Sequence, residues 1–245
     1  MPSDSNLLVI VPAYNEAQNV GRVIHEVHRH LPVPRVLVIN DGSTDDSSRA
    51  ARTAGAYVID LPYNLGIGGA VQTGLRFACS GQYDYVVRLD GDGQHDPKQI
   101  ALLLKLVTND EADVVIGSRY INKIGYRASI SRFIGIRLFA TLVSAVTGRR
   151  YTDTTSGFQV ANRRAFTFLA DNLASDYPEI EALVLLCRAG FRVREVEVVM
   201  RARQAGTSSI TTWHSLYYVL KVSLAILIGL LQNVPRTPEV SHGPR

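Results

Sequence analysis

Two aspartates one residue apart lie in Arg88-Leu89-Asp90-Gly91-Asp92-Gly93-Gln94-His95-Asp96-Pro97. Glycines alternate with them, and glycine lets the backbone turn tightly enough for both side chains to converge. Carboxylates held close together repel unless a cation lies between them. The fitting cation is Mg²⁺ or Mn²⁺, a hard ion that takes oxygen ligands and shares its coordination shell with substrate phosphates. Gln94 adds an amide oxygen, so Asp90, Asp92 and Gln94 are the candidate metal ligands. The alternative is a solvated turn, since many loops contain an Asp-x-Asp by chance. Here the motif follows an apolar run and has companions.

The first companion is Val11-Pro12-Ala13-Tyr14-Asn15-Glu16. Pro12 fixes φ just past an apolar run and turns the chain. Tyr14 offers a ring on which a base can stack, and Asn15 suits a helix cap. The second is Asn40-Asp41-Gly42-Ser43-Thr44-Asp45, where Asp41 can accept a hydrogen bond from a base and Ser43 or Thr44 can cap a helix. The third, Asn64-Leu65-Gly66-Ile67-Gly68-Gly69-Ala70, invites a dinucleotide-fingerprint reading that fails, because Val71 stands where a third glycine is required. No GK[ST] phosphate loop occurs either. Gly66 and Gly69 are instead expected to let the backbone pass close to a ligand.

These clusters need a scaffold. Residues 7–11, 36–39, 57–60, 85–89 and 114–116 are near-continuous apolar runs, the pattern of buried parallel strands. Between the first two, Val20, Val23, Ile24, Val27 and Leu31 follow helical spacing within residues 17–31. Residues 46–54, 69–79 and 97–107 supply further crossover helices, the last opened by Pro97. Such alternation predicts an α/β fold with a mostly parallel central sheet flanked by helices. Ligands of such sheets sit beyond the carboxyl ends of the strands, where the polar clusters fall.

After Ser118 the alternation weakens. The pattern predicts a helix over 130–146, a polar turn at 152–157, a helix over 180–189 and a strand over 193–199, together a cap that completes the site. Residues 216–231 are apolar on almost every face, but these 16 residues fall short of the roughly 20 that span a bilayer. They read as a buried helix or as one lying on a membrane surface. The expected division is one domain over 1–210, an apolar C-terminal helix over 211–235 and a polar tail over 236–245.

Apolar residues make up 46% of the 245 and charged residues 20%, an ordinary globular balance. The net charge of +4 suits anionic ligands such as phosphates, and no Lys/Arg run points to nucleic acid. Cys79 and Cys187 are the only cysteines and form no CxxC pair, which fits a reducing compartment. Residues 1–6 are short and polar, unlike a secretory signal.

Taken in order, PAYNE (12–16), NDGSTD (40–45), NLGIGGAVQTG (64–74), DGDGQHDP (90–97), GSRY (117–120), DTTSGF (153–158) and RQAGTSS (203–209) resemble the inverting family-2 glycosyltransferases. More narrowly, they are similar to the dolichol-phosphate mannosyltransferase and polyprenyl-phosphate glycosyltransferase branch. The resemblance implies a GT-A nucleotide-diphospho-sugar transferase fold and a hexose-type donor. It implies that Pro12, Tyr14, Glu16 and Asp41 line the nucleoside pocket and that Asp90, Asp92 and Gln94 hold a divalent cation on the diphosphate. Arg119, Arg132 and Arg203, with Ser131 and Ser208, would face an acceptor phosphate or the donor. Asp153 would be a candidate base or an acceptor-orienting carboxylate. Relatives often carry Asp-Asp-Gly where this chain has Asn40-Asp41-Gly42, and G-x-S-K where it has Gly206-Thr207-Ser208-Ser209.

The chemistry this implies is inverting transfer of a sugar to a polyprenyl phosphate at the cytoplasmic face of a membrane. A nucleotide-diphospho-sugar, a polyprenyl phosphate lipid, the membrane surface and a membrane protein are its expected partners, and nucleic acid is not. A lipid phosphate is already anionic near neutral pH, so Asp153 would orient more than deprotonate. A saccharide or small-molecule hydroxyl acceptor would instead require a base. A nucleotide-sugar-binding module without turnover is the reading from another class.

Overall fold

The computed structural model describes residues 6–31, 35–121, 130–173 and 178–201, with the backbone alone at 130–134 and 178. Its strands are β1 (Leu7–Ala13), β2 (Arg35–Asn40), β3 (Tyr57–Asp60), β4 (Tyr85–Arg88), β5 (Val114–Ser118), β6 (Gln159–Asn162) and β7 (Val193–Glu197). The helices are α1 (Val20–His30), α2 (Ser47–Thr53), α3 (Gly66–Ser80), α4 (Ile100–Thr108), α5 (Ile130–Thr147), α6 (Arg163–Asn172) and α7 (Pro178–Arg188). A 3-10 turn, Pro97–Gln99, leads into α4, and Asp96 caps it by accepting from the Lys98 N–H.

The strands form one sheet in the order β3-β2-β1-β4-β6-β5-β7. Every pairing is parallel except the two made by β6. Alternate residues of β1 serve opposite cores. Leu8 and Ile10 pack with Val71 and Leu75 of α3, whereas Val9 and Val11 pack with Val23, Ile24 and Val27 of α1. Both faces are therefore covered, as a parallel sheet requires. The chain moves outward from β1 to β2 and β3, then returns to lay β4 on the other side of β1. That reversal opens a crevice between the carboxyl ends of β1 and β4, the usual ligand position in open α/β sheets.

Three elements differ from the sequence reading. Pro12 lies within β1, opposite Ile39 of β2, and does not turn the chain after the strand. A central strand tolerates this proline because of where its missing N–H would point. Ile10 accepts from the Leu89 N–H on the β4 side, and pairing with β4 ends there, two residues before Pro12. The helix expected from residue 17 begins at Val20, because the Glu16 carbonyl first accepts from the Asn19 and Val20 N–H groups in a turn. Finally, β6 and α6 fall where the sequence shows no clear period. β6 is four residues long, and Asn162 caps α6 by accepting from the Ala165 N–H.

No described helix is long and apolar enough to cross a membrane. The expected C-terminal helix and tail lie outside the described residues.

Candidate functional site

The loops at the carboxyl ends of β1 and β2 are stitched together. Asn15 adopts a left-handed φ of 55°, and its backbone N–H donates to Ser43 Oγ at 3.0 Å. Its side-chain oxygen accepts from the Thr44 N–H at 2.9 Å. Asn15, Ser43 and Thr44 thus bond to one another across two loops instead of capping helices. The next residue, Glu16, is buried, receives Asn19 Nδ2 at 2.7 Å and donates its own N–H to Ser47 Oγ. Tyr14, by contrast, is 45% exposed.

Asp41 fixes the third loop. Its Oδ1 accepts from the Leu65 N–H at 2.7 Å, joining β2 to the start of α3. Burial pushes its carboxyl above the usual carboxylate range, and the Leu65 and Gly66 N–H groups partly offset that rise. Gly66 has φ +80°, a conformation that L side chains rarely adopt, and a Cβ there would meet nothing within 4 Å. Gly69 has a different reason for being glycine, since its Cβ would lie 2.6 Å from the Leu65 Cβ. Both glycines are partly exposed. Asn40 donates to Asp60 Oδ1 at 2.8 Å, so the amide that replaces the first acid of Asp-Asp-Gly is engaged with β3.

The Asp90–Asp96 loop packs against the end of β1, because a Cβ on Gly91 would stand 3.2 Å from the Pro12 carbonyl oxygen. Three groups surround the Asp90 carboxylate. Arg88 Nη2 and His95 Nε2 each lie 3.7 Å from one of its oxygens. A Cβ on Gly157 would come within 2.6 Å of Oδ1, so this carboxylate position exists only with glycine there. Arg88 is buried and forms an ion pair with Glu179 at the start of α7. His95 stacks on Phe158 with ring centroids 5.2 Å apart, and its Nδ1 accepts from the Asp90 N–H at 3.0 Å. That bond places the ring proton on Nε2, toward the carboxylate. Burial holds the His95 pKa below the ordinary imidazole value, against the raising effect of Asp90 and Asp92.

Asp92 Oδ1 accepts from the Gln94 N–H at 3.0 Å. Gln94 Nε2 reaches the Arg201 carbonyl at 3.4 Å, which turns the amide so that its oxygen is the end away from Arg201. Arg201 also pairs with Asp96 at 2.8 Å and with Glu26, and its N–H donates to the Gln94 carbonyl. The three proposed metal ligands are therefore hard oxygen donors on one short, braced loop, a donor set that fits Mg²⁺ or Mn²⁺. Among the described residues, no three His, Cys, Asp or Glu side chains gather into a group that could hold an ion.

Arg119 follows β5 and is buried. Its Nε and Nη2 each donate at 2.6 Å to a different oxygen of Asp153, and its backbone N–H donates to the same carboxylate at 3.1 Å. Asp153 is 0% exposed. Two roles were open to it from the sequence, base and orienting group; with both oxygens spent on Arg119, the geometry favours orientation through that arginine. Gly157, four residues after Asp153, packs against the Asp90 carboxylate, so the segment that holds Arg119 borders the Asp90–Asp96 loop. Ser131 and Arg132 fall in α5, where the backbone alone is described, and Arg203 and Ser208 lie outside the described residues.

Arg88, His95, Gly157, Glu179 and Glu195 emerge only from the structure. For His95 and Gly157 a signal was present, since both sit inside motifs already singled out. Arg88 and Glu179 are 91 residues apart, and no local spacing announces their contact.

Residues 8–169 match the family described as Glycosyl transferase family 2. The undecaprenyl-phosphate mannosyltransferase of Micrococcus luteus is 29% identical over 84% of this chain and 87% of its own length. The UDP-N-acetylglucosamine–dolichyl-phosphate N-acetylglucosaminyltransferase of Methanococcus voltae is 26% identical over 80% of this chain and 86% of its own length. Among solved structures, glucosyl-3-phosphoglycerate synthase from Mycobacterium tuberculosis, in complex with Mn²⁺, UDP-glucose and phosphoglyceric acid, superposes with a TM-score of 0.73. It is 21% identical, with 94% of this chain and 82% of that one covered, and shows a shared fold.

Proposed function

Because the chain belongs to glycosyl transferase family 2 and has a GT-A-like fold, we propose that it transfers a hexose-type sugar from a nucleotide-diphospho-sugar to a polyprenyl phosphate, with inversion. The observation that carries this reading is the pairing of an Asp-x-Asp loop at the β1/β4 crevice with a buried arginine held by both oxygens of a buried aspartate. The names of the curated relatives, which pair an activated sugar with a lipid phosphate, support it.

Tyr14 stacks on the base, and Asp41 accepts a hydrogen bond from the nucleoside, beside Pro12 and Glu16, which shape the pocket floor. Gly66 keeps the backbone low beside the donor. Asp90, Asp92 and Gln94 hold a divalent cation. When bound, that ion stabilises the charge growing on the departing diphosphate, an effect of several kcal/mol. His95 and Arg88 fix the orientation of Asp90 from either side. Arg119, whose Nε and Nη2 are held by Asp153, lends its fixed positive charge to the acceptor-phosphate site. Arg132, Ser131, Arg203 and Ser208 complete the phosphate site. The acceptor oxygen attacks the anomeric carbon from the face opposite the leaving diphosphate, which inverts that centre. A hydroxyl acceptor would need a base, and Asp153 is committed to Arg119.

The protein would meet its lipid substrate at the cytoplasmic surface of a membrane, where a net positive chain is attracted to anionic headgroups. The test is a donor screen with Mn²⁺ or Mg²⁺ and a short-chain polyprenyl phosphate. A glycosyl phospholipid of the expected mass supports the reading, and transfer confined to saccharide hydroxyls refutes it.

A further inference from the structure

Asp153 holds Arg119, and another side chain holds the turn that carries Asp153. Glu195 lies in β7, the third strand beyond β4, and projects toward the turn at Thr152. Its Oε1 accepts from the Asp153 N–H at 2.7 Å and from the Thr152 N–H at 3.0 Å. Its Oε2 accepts from the Thr152 N–H at 2.8 Å and from Thr152 Oγ1 at 2.9 Å. Thr152 Oγ1 also lies 2.6 Å from Ser118 Oγ, one residue before Arg119. A single carboxylate thus gathers the backbone on both sides of the Thr152–Asp153 peptide and ties it back to the end of β5.

Only an acceptor can occupy this position. Every group facing Glu195 here is an N–H or O–H donor, and an amide side chain would set its own NH₂ against one of them. Burial pushes the Glu195 carboxyl above its ordinary range, its hydrogen bonds from Asp153 and Thr152 partly offset that rise, and the nearby Asp153 charge adds to it. Two carboxylates are kept close together in a mostly buried pocket, with Arg119 as the cation paired to Asp153.

We infer that Glu195 is a positioning residue for acceptor-phosphate binding, acting through the Thr152–Asp153 turn and Asp153 to set the plane of the Arg119 guanidinium. The inference rests on the proposed phosphate-binding role of Arg119. A displacement of about 1 Å at a substrate-orienting group can cost on the order of 100-fold in rate, so loosening this turn should be visible in kinetics.

The experiment is steady-state kinetics with the sugar nucleotide found by the donor screen and a short-chain polyprenyl phosphate. Wild type, Glu195→Gln and Thr152→Val are compared, with nucleotide binding measured by titration. Glu195→Gln should raise the acceptor KM by about 10-fold, within the range such misplacement allows, and leave the nucleotide Kd within about 2-fold. Thr152→Val, which removes one hydroxyl and keeps both backbone donors, should shift the acceptor KM in the same direction by less. A general loss of packing would move donor and acceptor parameters together, and that result overturns the inference, as does an unchanged acceptor KM. Should Glu195→Gln not fold, an unchanged acceptor KM in Thr152→Val is enough to overturn it. A wild-type chain that transfers sugar while the variants match it rejects the inference alone. A wild-type chain that never modifies the lipid phosphate rejects the proposed function and this inference with it.

Discussion

Strand β5 carries a buried aspartate–arginine pairing at each end, and the two differ in what they face. At its entrance Asp113, 2% exposed, receives the Arg192 backbone N–H at 2.8 Å, Arg192 Nε at 3.2 Å, Arg164 at 3.1 Å and Asn162 Nδ2 at 2.9 Å. At its exit Arg119 is gripped by Asp153 through two 2.6 Å bonds. The entrance cluster closes on itself: Arg192 goes on to Asp110, and Arg164 lies over the Phe191 ring. The exit pair sits beside the Asp90–Asp96 loop, at the end of the sheet where ligands bind. The same ion-pair chemistry locks the sheet at one end and aims a side chain at the other. The two also differ in burial and bond length, since Arg192 and Arg164 have side chains 38% and 34% exposed at 3.2 and 3.1 Å from Asp113, whereas Arg119 is 5% exposed and 2.6 Å from Asp153, and only the exit pair stands at the carboxyl ends of the strands.

Substitutions should separate them. The largest effect is expected at the exit end from Asp92→Ala, which should lower kcat by about 1,000-fold or more, equivalent to about 4 kcal/mol of transition-state stabilisation, with little change in melting temperature. Chelation of the wild type should lower the rate to a similar level, and a variant that keeps full activity in EDTA would remove the ion from the account. Next come Asp113→Ala and Asp153→Ala. Asp153→Ala strands the buried Arg119 and should cost about 3–5 kcal/mol in denaturant unfolding, whereas Asp113→Ala leaves the partly exposed Arg192, which keeps Asp110, and the partly exposed Arg164, and should cost less. Kinetics then divides them: Asp153→Ala should also raise the acceptor KM, while Asp113→Ala should leave both KM values unchanged. A matching kinetic defect in Asp113→Ala would erase the distinction between the two ends.

A smaller effect is expected in acid. Burial alone would raise the Asp113 carboxyl, but its bonds to Arg192 and Asn162 and the Arg164 charge outweigh burial and hold it below its ordinary 3.8. A depressed folded-state pKa contributes stability that is complete above the unfolded value and is lost as pH falls through the folded one. Stability of the wild type should therefore drop below about pH 4 more steeply than that of Asp113→Asn, as read from unfolding curves at stepped pH. The smallest effect belongs to an exposed pair, Arg52 and Asp60, whose side chains are 54% and 44% exposed; Arg52→Ala should cost no more than about 1 kcal/mol.

Much of the frame was legible because parallel strands buried on both faces leave unmistakable apolar runs, and because polar clusters at their carboxyl ends mark a site. The Asp90–Asp96 loop and the Asp41 loop could be located this way. Pro12 was misplaced, since proline ordinarily ends strands, and only the early stop of the β1–β4 ladder makes it tolerable. β6 was hidden by its shortness and its antiparallel insertion between β4 and β5. Composition does not show that a Cβ on Gly69 would meet Leu65, a packing reason for glycine there beside the expected approach to a ligand. The function of Glu195 could not be read locally, since its partner Asp153 is 42 residues away and meets it only once β7 has joined the sheet. Asp153 stood out within a motif, but its two-oxygen grip on Arg119 appears only in the fold, 34 residues away in sequence.

Product analysis with wild-type protein, Mn²⁺, the accepted sugar nucleotide and a short-chain polyprenyl phosphate bears most directly on the proposed transfer. Mass and anomeric configuration of the lipid product are the quantities to record. A sugar joined to the lipid through phosphate, with its anomeric centre inverted relative to the donor, is the expected outcome. Release of free sugar only, or a product with retained configuration, would contradict direct displacement by the lipid phosphate.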